Sequence, residues 1–588
     1  MSTITVENFL SGKTLIIPNY QRDYAWTIEN VNDLFGDVEE ALEVDNGHYL
    51  GTFILSQSGQ KADAYVVDGQ QRLTTLTMLL SALISGVEDN HIRQHYRNTF
   101  IEHPLTGLKL RMQSDNAAFF QRLLANDAPE PKSDGQDRLA QAYQWIRQRI
   151  HHLLQQGGQD LITRWLVCVS QMEVLEFIER NEGKAIRMFQ SVNDRGVPLA
   201  KMDIVKSLLI YYSNRFLDAS LDDTIAQAFG YAFRSFSRIK RLAGKDDGYK
   251  VRLIARDTFR EDDVLRYHYL AFDGLAYGAI AAADYNATAE TVLEGFLKPS
   301  LRKLRNDPAK LSAFITGYTS DLSGFFATLE DLIGATREDT GIYRLFVVQD
   351  LAATLYPLVI RIQLMGWLSQ TDVNHDGYTL RDLIGMADLR VFKLRGTNPQ
   401  ADVAWITHDL PKVTIDEVGS RLRKFSQKFM PDSLMASRLA DEDMYRNPGL
   451  PIMLLEAEES ARRAVGLPEL KFGELVKLNA GLSVEHILPQ EPSFNISAYG
   501  FADAEEYQQH VHRIGNLISL ESWLNSKCNN RTIEEKMLSI ELYPESQLTA
   551  IAELRAECAD QVPMFTRDKI TSRSKALAGM VVKRWPGN

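Results

Sequence analysis

The chain has 588 residues, of which 45% are hydrophobic and 24% charged, with 36 Gly and 19 Pro. This is an ordinary globular composition that excludes disordered, collagen-like and low-complexity classes, and the length suits about three or four compact units. The net charge of −12 argues against a uniformly nucleic-acid-coating protein but leaves room for local basic patches. No uncharged stretch exceeds fifteen residues, the most apolar being Leu73 to Val87, short of the roughly 18 apolar residues that a membrane span needs. The start, MSTITVENFL, has no signal-peptide pattern, and Cys168, Cys528 and Cys558 are too scattered for a disulfide framework or a CxxC knuckle. The expectation is a soluble, cytoplasmic protein without a membrane partner.

The first 210 residues predict a small mixed α/β unit. Ser11-Gly12-Lys13-Thr14 ends like a phosphate loop, but Glu7 stands where the first glycine is needed. A polar motif, IPNYQRDYAW, occupies Ile17 to Trp26. Apolar residues Ile28, Val31, Phe35, Val38 and Leu42 recur at helical spacing. TFILSQ (Thr52 to Gln57) and AYVV (Ala64 to Val67) have strand character, and a helix follows from Leu73. Between strand and helix lies Asp68-Gly69-Gln70-Gln71-Arg72. Its glycine permits a tight turn, its helix start offers N–H groups to an anion, and its Gln and Arg side chains add donors; an ordinary Asp-Gly helix cap is the alternative. WLVCVSQMEVLEFI (Trp165 to Ile178) reads as one or two buried strands, and a third polar motif, FQSVNDRGVPLAKMDIVK, runs from Phe189 to Lys206.

These three motifs resemble the N-terminal domain of GmrSD-type restriction proteins, and DGQQRLTTL at 68 to 76 matches letter for letter. The resemblance implies a ParB/sulfiredoxin-like fold that binds and hydrolyses a nucleoside triphosphate, whether ATP, GTP or another. Its nucleotide-binding residues would be Tyr20, Gln21, Arg22, Asp68, Gly69, Gln70, Gln71, Arg72, Asn193, Arg195 and Lys206.

From about 216 to 465 helical periodicity dominates, predicting a helical connector between a first unit at 1 to 215 and a last at 466 to 588. Tyr231 to Arg260 carries nine Lys/Arg against three Asp, interleaved with Tyr231, Phe233, Phe236, Tyr249 and Phe259. That pattern suits a nucleic-acid track, with a solvated helix face as the equal alternative. The turn at 372 to 377 begins like a calcium loop but places Leu383 where its bidentate Glu belongs.

In the last unit, Glu485-His486 follows an apolar strand, Arg513-Ile514-Gly515-Asn516-Leu517 comes next, then Asn525 and Asn529 one helical turn apart, with Lys536 beyond. This resembles the HNH, or ββα-metal, nuclease finger, and the whole layout is similar to GmrSD proteins, most of all to a single fused chain of the BrxU type. The fold class is therefore α+β multidomain. By this resemblance His486 would be the general base and Asn516 would hold its ring or loop, while Glu485, Asn525 and Asn529 would bind a metal. Asn stands where His is common, so Mg²⁺ or Mn²⁺ is favoured over Zn²⁺. His510 and His512 read as loop histidines. The implied function is a type IV restriction endonuclease acting on double-stranded phage DNA with modified cytosines, with a homodimer as a candidate assembly. A nucleotide-responsive DNA-binding regulator without cleavage is the alternative.

Overall fold

The computed structural model describes residues 2–18, 21, 23–43, 49–57, 63–112, 115–179, 200–244, 246–281, 286–368 and 377–587. Tyr20, Arg22, Asn193, Arg195 and the 372–376 turn lie outside the described residues. The N-terminal unit is built on a six-stranded mixed sheet. Its strands are β1 (Ser2–Thr5), β2 (Thr14–Ile16), β3 (Tyr49–Ser56), β4 (Asp63–Asp68), β7 (Leu110–Arg111) and β8 (Glu173–Glu179), in the order β1-β8-β3-β4-β2-β7. Two-residue strands β5 (Glu102–His103) and β6 (Gly107–Leu108) form a separate hairpin. β3 pairs antiparallel with β4 and parallel with β8.

Alternation along β3 and β4 decides which neighbour each face meets. Phe53, Leu55, Ala64 and Val66 join the N-terminal core under the helices Ile28–Glu43, Gln70–Ser85 and Asp134–Gln171, whereas Ile54 and Val67 face a different core. A sheet covered on both sides explains why TFILSQ lacks a clean polar face. The expected strands at 165 to 178 need correction. Trp165 to Gln171 finish the long helix Asp134–Gln171, and only Glu173–Glu179 is extended. Trp165, Leu166 and Val169 bury one helical face, a pattern that a short apolar run does not distinguish from a strand.

The helix Lys201–Phe216 falls in the first unit by sequence, yet Met202, Val205, Leu209 and Ile210 pack into the helical body instead. That body centres on the long helices Asp222–Gly244 and Pro308–Ala335. Its core continues into the C-terminal unit through Ile514, Leu517, Ala578, Val581 and Trp585. Buried Arg390 reinforces this junction by donating to the carbonyls of Met430 and Trp585 and by pairing with Asp432. The C-terminal unit has its own core of residues between Ile487 and Ile570 around the two-stranded sheet β9 (Leu482–His486) and β10 (Leu517–Glu521). Among the described residues, no helix is long and apolar enough to cross a membrane.

Candidate active site

β9 and β10 run antiparallel with Glu485 opposite Ile518 and His486 opposite Leu517. Burial of Ile487, Leu488, Ile518, Leu520 and Leu524 in the C-terminal core fixes that register, because a one-residue slip would turn these side chains to solvent. The helix Ser522–Cys528 leaves β10 directly and stops at Asn529, whose φ of +42° cannot continue it. Strand, loop and helix together wall a cleft of about 430 Å³. Glu485, His486, Gln490, Asn525, Asn529 and Tyr445 are among its lining residues.

His486 is only 5% exposed. Its Nδ1 accepts from Gln490 Nε2 at 3.3 Å, so its proton sits on Nε2 and is donated to His512 Nδ1 at 3.0 Å. Burial, with His512 and Lys536 nearby, pushes His486 down to about 3, so the ring is neutral near pH 7. The Tyr445 ring meets His486 edge-on at 4.4 Å and stacks on His512 at 5.2 Å.

Asn516 is fully buried behind the cleft. Its Oδ1 accepts from the Leu488 amide at 2.8 Å, and its Nδ2 donates to the carbonyls of Leu488 at 3.0 Å and Val511 at 2.8 Å. It therefore fixes the loop immediately after His486 and does not touch the ring. Neighbouring Gly515 is required because a side chain there would collide with the backbone of Ile570 on the terminal helix Arg567–Arg584.

The ligand expectation can be tested on the donors themselves. Glu485 Oε1 accepts from Tyr543 at 3.0 Å and pairs with buried Lys536 at 2.8 Å. Lys536 also donates to the His486 carbonyl at 2.7 Å. Burial raises the Glu485 carboxyl, and Lys536 opposes that shift. Neither contact engages Oε2. Asn525 Nδ2 donates to Ser483 Oγ at 2.8 Å and to the Val484 carbonyl at 3.0 Å, which leaves its oxygen as the outward donor. One anchored carboxylate and two amides, Asn525 and Asn529, thus share a cleft, a hard-oxygen set that fits Mg²⁺ or Mn²⁺. Among the described residues no group of three or more His, Cys, Asp or Glu side chains converges closely enough to hold a metal.

At the other end, the first two motifs are stapled together. Gln21 Nε2 donates to the Val67 carbonyl at 2.9 Å. Gln71 accepts from the Ala25 amide at 2.8 Å and donates to the Asp23 carbonyl at 3.2 Å. Tyr24 bonds Thr75 at 2.7 Å, and burial pushes its hydroxyl up to about 12. Gly69, at φ +90°, is obligatory on two counts, since a Cβ there would also sit 2.5 Å from the Phe53 ring. The motif residues then diverge. Gln21, Gln70 and Gln71 border a cavity of about 220 Å³. Arg72 instead lies over Gly51, and Lys206 is buried within the helix Lys201–Phe216.

The model of the GmrSD restriction endonuclease N-terminal domain matches residues 6–210, and that of the C-terminal domain matches residues 438–580. The chain belongs to the GmrSD restriction endonuclease family. Both domains lie on one polypeptide, so this GmrSD chain is a type IV restriction nuclease that acts on DNA. No curated protein matches it.

Three site features of this GmrSD chain escaped sequence reading. His512, four residues before Asn516, looked like a loop histidine but is the hydrogen-bond partner of His486. Tyr445, contributed from 41 positions upstream of His486, has no local signal at all. Lys536 had a signal in its spacing but no visible role. The aromatic interleaving of 231 to 260 also changes meaning. Phe233, Phe236 and Phe259 are core residues, Lys240 donates to the carbonyls of Ile254 and Arg256, and Arg241 donates to that of Lys132. These rings are unavailable to stack on bases.

Proposed function

We infer that β9, β10 and the following helix form a ββα-metal finger that hydrolyses DNA phosphodiesters. The convergence of Glu485, His486, Asn525 and Asn529 on one cleft carries this reading. In it, neutral His486 takes a proton from water at Nδ1, the nitrogen whose contact to Gln490 is the longer and weaker of its two. The water oxygen attacks phosphorus, the bridging P–O bond breaks, the leaving oxygen takes a proton from solvent, and His486 returns its proton to solvent. Asn516 and Lys536 keep the His486 backbone in place, and His512 and Tyr445 limit ring rotation. Glu485, Asn525 and Asn529 would hold Mg²⁺ or Mn²⁺, whose Lewis acidity stabilises charge developing on the phosphate oxygens.

The N-terminal sheet is read as a ParB/sulfiredoxin-like domain that binds and hydrolyses a nucleoside triphosphate through Asp68 to Arg72 and Lys206, supported by the motif match. Defence against phage, DNA with modified cytosine as substrate, a fused BrxU-like arrangement and a homodimeric assembly follow from the same family reading. The test is incubation of unmodified and hydroxymethylcytosine-containing DNA with the protein, Mg²⁺ or Mn²⁺ and each nucleotide. Metal-dependent cutting that His486→Ala abolishes is the expected result. DNA binding without cutting under every condition would leave the regulator as the better reading.

A further inference from the structure

The cavity beside Gln70 is completed by residues beyond the N-terminal family match. One wall is the first turn of the helix Gln70–Ser85, through Gln70, Gln71 and Thr74. Its N-cap, Gly69, supplies no side-chain acceptor, so the positive end of this 16-residue helix is left uncapped by a side chain. The facing wall belongs to the helix Asp222–Gly244 and presents Gly230, Phe233, Arg234 and Arg238.

The charges on these walls are uneven. Arg234 is half-buried and, among the described residues, has no hydrogen-bond or ion-pair partner. Among the described residues, Arg238, one turn further, has a single partner, Glu330 at 3.4 Å. Lys132 lies at the rim with an exposed side chain. Among the described residues the only carboxylate on the walls is Asp23, already bonded through Oδ1 to Asn116 Nδ2 at 2.9 Å. Three cations and a helix N-terminus against one engaged carboxylate describe an anion site. Its volume of about 220 Å³, in a recess between two units, suits a small ligand and shuts out a duplex.

We propose that this cavity binds the polyphosphate of a nucleotide, with Arg234 and Arg238 closing over phosphates held at the start of the helix Gln70–Ser85. The proposal rests on the nucleotide reading given above and adds a clamp from the helical body. A ligand held from both sides ties the N-terminal unit to that body, a physical route by which nucleotide state can reach the rest of the chain.

The test is calorimetry on the full chain with ATP, GTP and inorganic tripolyphosphate, using Arg234→Gln, the conservative Arg234→Lys, and Lys132→Ala at the exposed rim. Arg–phosphate bonds are charge-assisted, so Arg234→Gln should weaken both nucleotide and tripolyphosphate by roughly tenfold or more, with partial recovery in Arg234→Lys. Lys132→Ala should weaken both to a smaller extent, and its exposed position keeps the test valid if the Arg234 variants unfold. Undiminished binding of all ligands by well-folded Arg234→Gln overturns the site while leaving the nucleotide reading intact. Tripolyphosphate binding that depends on Arg234, without any nucleotide binding, supports the site and overturns the nucleotide reading. No binding of either class by the unmodified chain overturns both.

Discussion

The two ends of the molecule organise their motif residues in opposite ways. In the C-terminal unit Glu485, His486, Asn525 and Asn529 line one cleft, and Asn516 and Lys536 support it from behind. Asn516 holds the loop, Lys536 holds Glu485 and the His486 carbonyl, and Asn525 is pinned through its nitrogen. At the N-terminal end the residues of one short motif point in different directions. Gln70 borders the cavity, Gln71 borders it while latching onto the backbone of Asp23 and Ala25, and Arg72 lies elsewhere over Gly51. The lesson concerns spacing. A strand-loop-strand-helix unit converges because short connections and one small core force it to, whereas consecutive residues on one helix start fan out by 100° each.

The sharpest way to break this comparison is His486→Ala. Loss of a general base should lower DNA cleavage by about 10²–10⁴-fold, with nucleotide hydrolysis unchanged because the two sites lie in separate units. Plasmid nicking and phosphate release measured on the same preparation check both halves. If cleavage survives, the cleft is not the nuclease centre.

Next in size is Asn516→Ala, which leaves the Leu488 amide and the carbonyls of Leu488 and Val511 without partners. Each buried orphan costs about 1–3 kcal/mol, so urea denaturation should show one of the largest destabilisations of any polar substitution in the C-terminal unit. A change below about 0.5 kcal/mol would mean that the loop is held by other contacts.

Arg72→Ala and Gln71→Ala sharpen the N-terminal side. If the motif divides as described, Gln71→Ala should cost about 1–2 kcal/mol of stability through its two backbone bonds, with a smaller effect on nucleotide affinity. Arg72 lies over Gly51 and outside the cavity lining, so Arg72→Ala should change nucleotide affinity less than Gln71→Ala does. Equal effects of both variants on affinity would make the motif a single binding surface.

The smallest expected effect lies in the helical body between them. His268 is fully buried, with Nε2 donating to Asp321, which Arg361 holds in a two-pronged pair, and with Tyr318 packed against the ring. Its Nδ1 has no partner among the described residues. Burial pulls the ring below its ordinary 6.5, ahead of the opposing pull of Asp321. The unfolded chain therefore takes up a proton below about pH 6.5 that the folded chain refuses, and stability falls as the pH drops through that region. The slope from this one group is at most about 1.4 kcal/mol per pH unit. His268→Gln should flatten the dependence of the denaturation midpoint between pH 7 and acid, and an unchanged slope would show that other groups control it.

Much of this architecture was legible in the residues. Helical spacing at Ile28, Val31, Phe35 and Val38 marks a real amphipathic helix, and β3 and β4 lie where β-branched and aromatic runs placed them. The motif letters pointed to the family that the domain matches bear out. The run from Trp165 to Gln171 was misread because a fully buried stretch has no polar face to reveal its period, and Phe233, Phe236 and Phe259 because core spacing and stacking spacing look alike in one dimension.

By itself the sequence determined the amphipathic helix from Ile28, strands β3 and β4, the tight turn that only Gly69 can make, and the family, since these depend on local backbone chemistry and on letters in fixed succession. Tertiary structure alone decided that Tyr445 and His512 surround His486, that Lys536 anchors Glu485, and that Arg234 faces the helix start at Gln70. Those pairings join residues from separate elements, several of them far apart in the chain. The C-terminal unit's own core brings His512 and Lys536 to the site, and packing of the helical body against both ends brings Tyr445 and Arg234, because such contacts are set by which apolar faces must be buried together rather than by any local pattern.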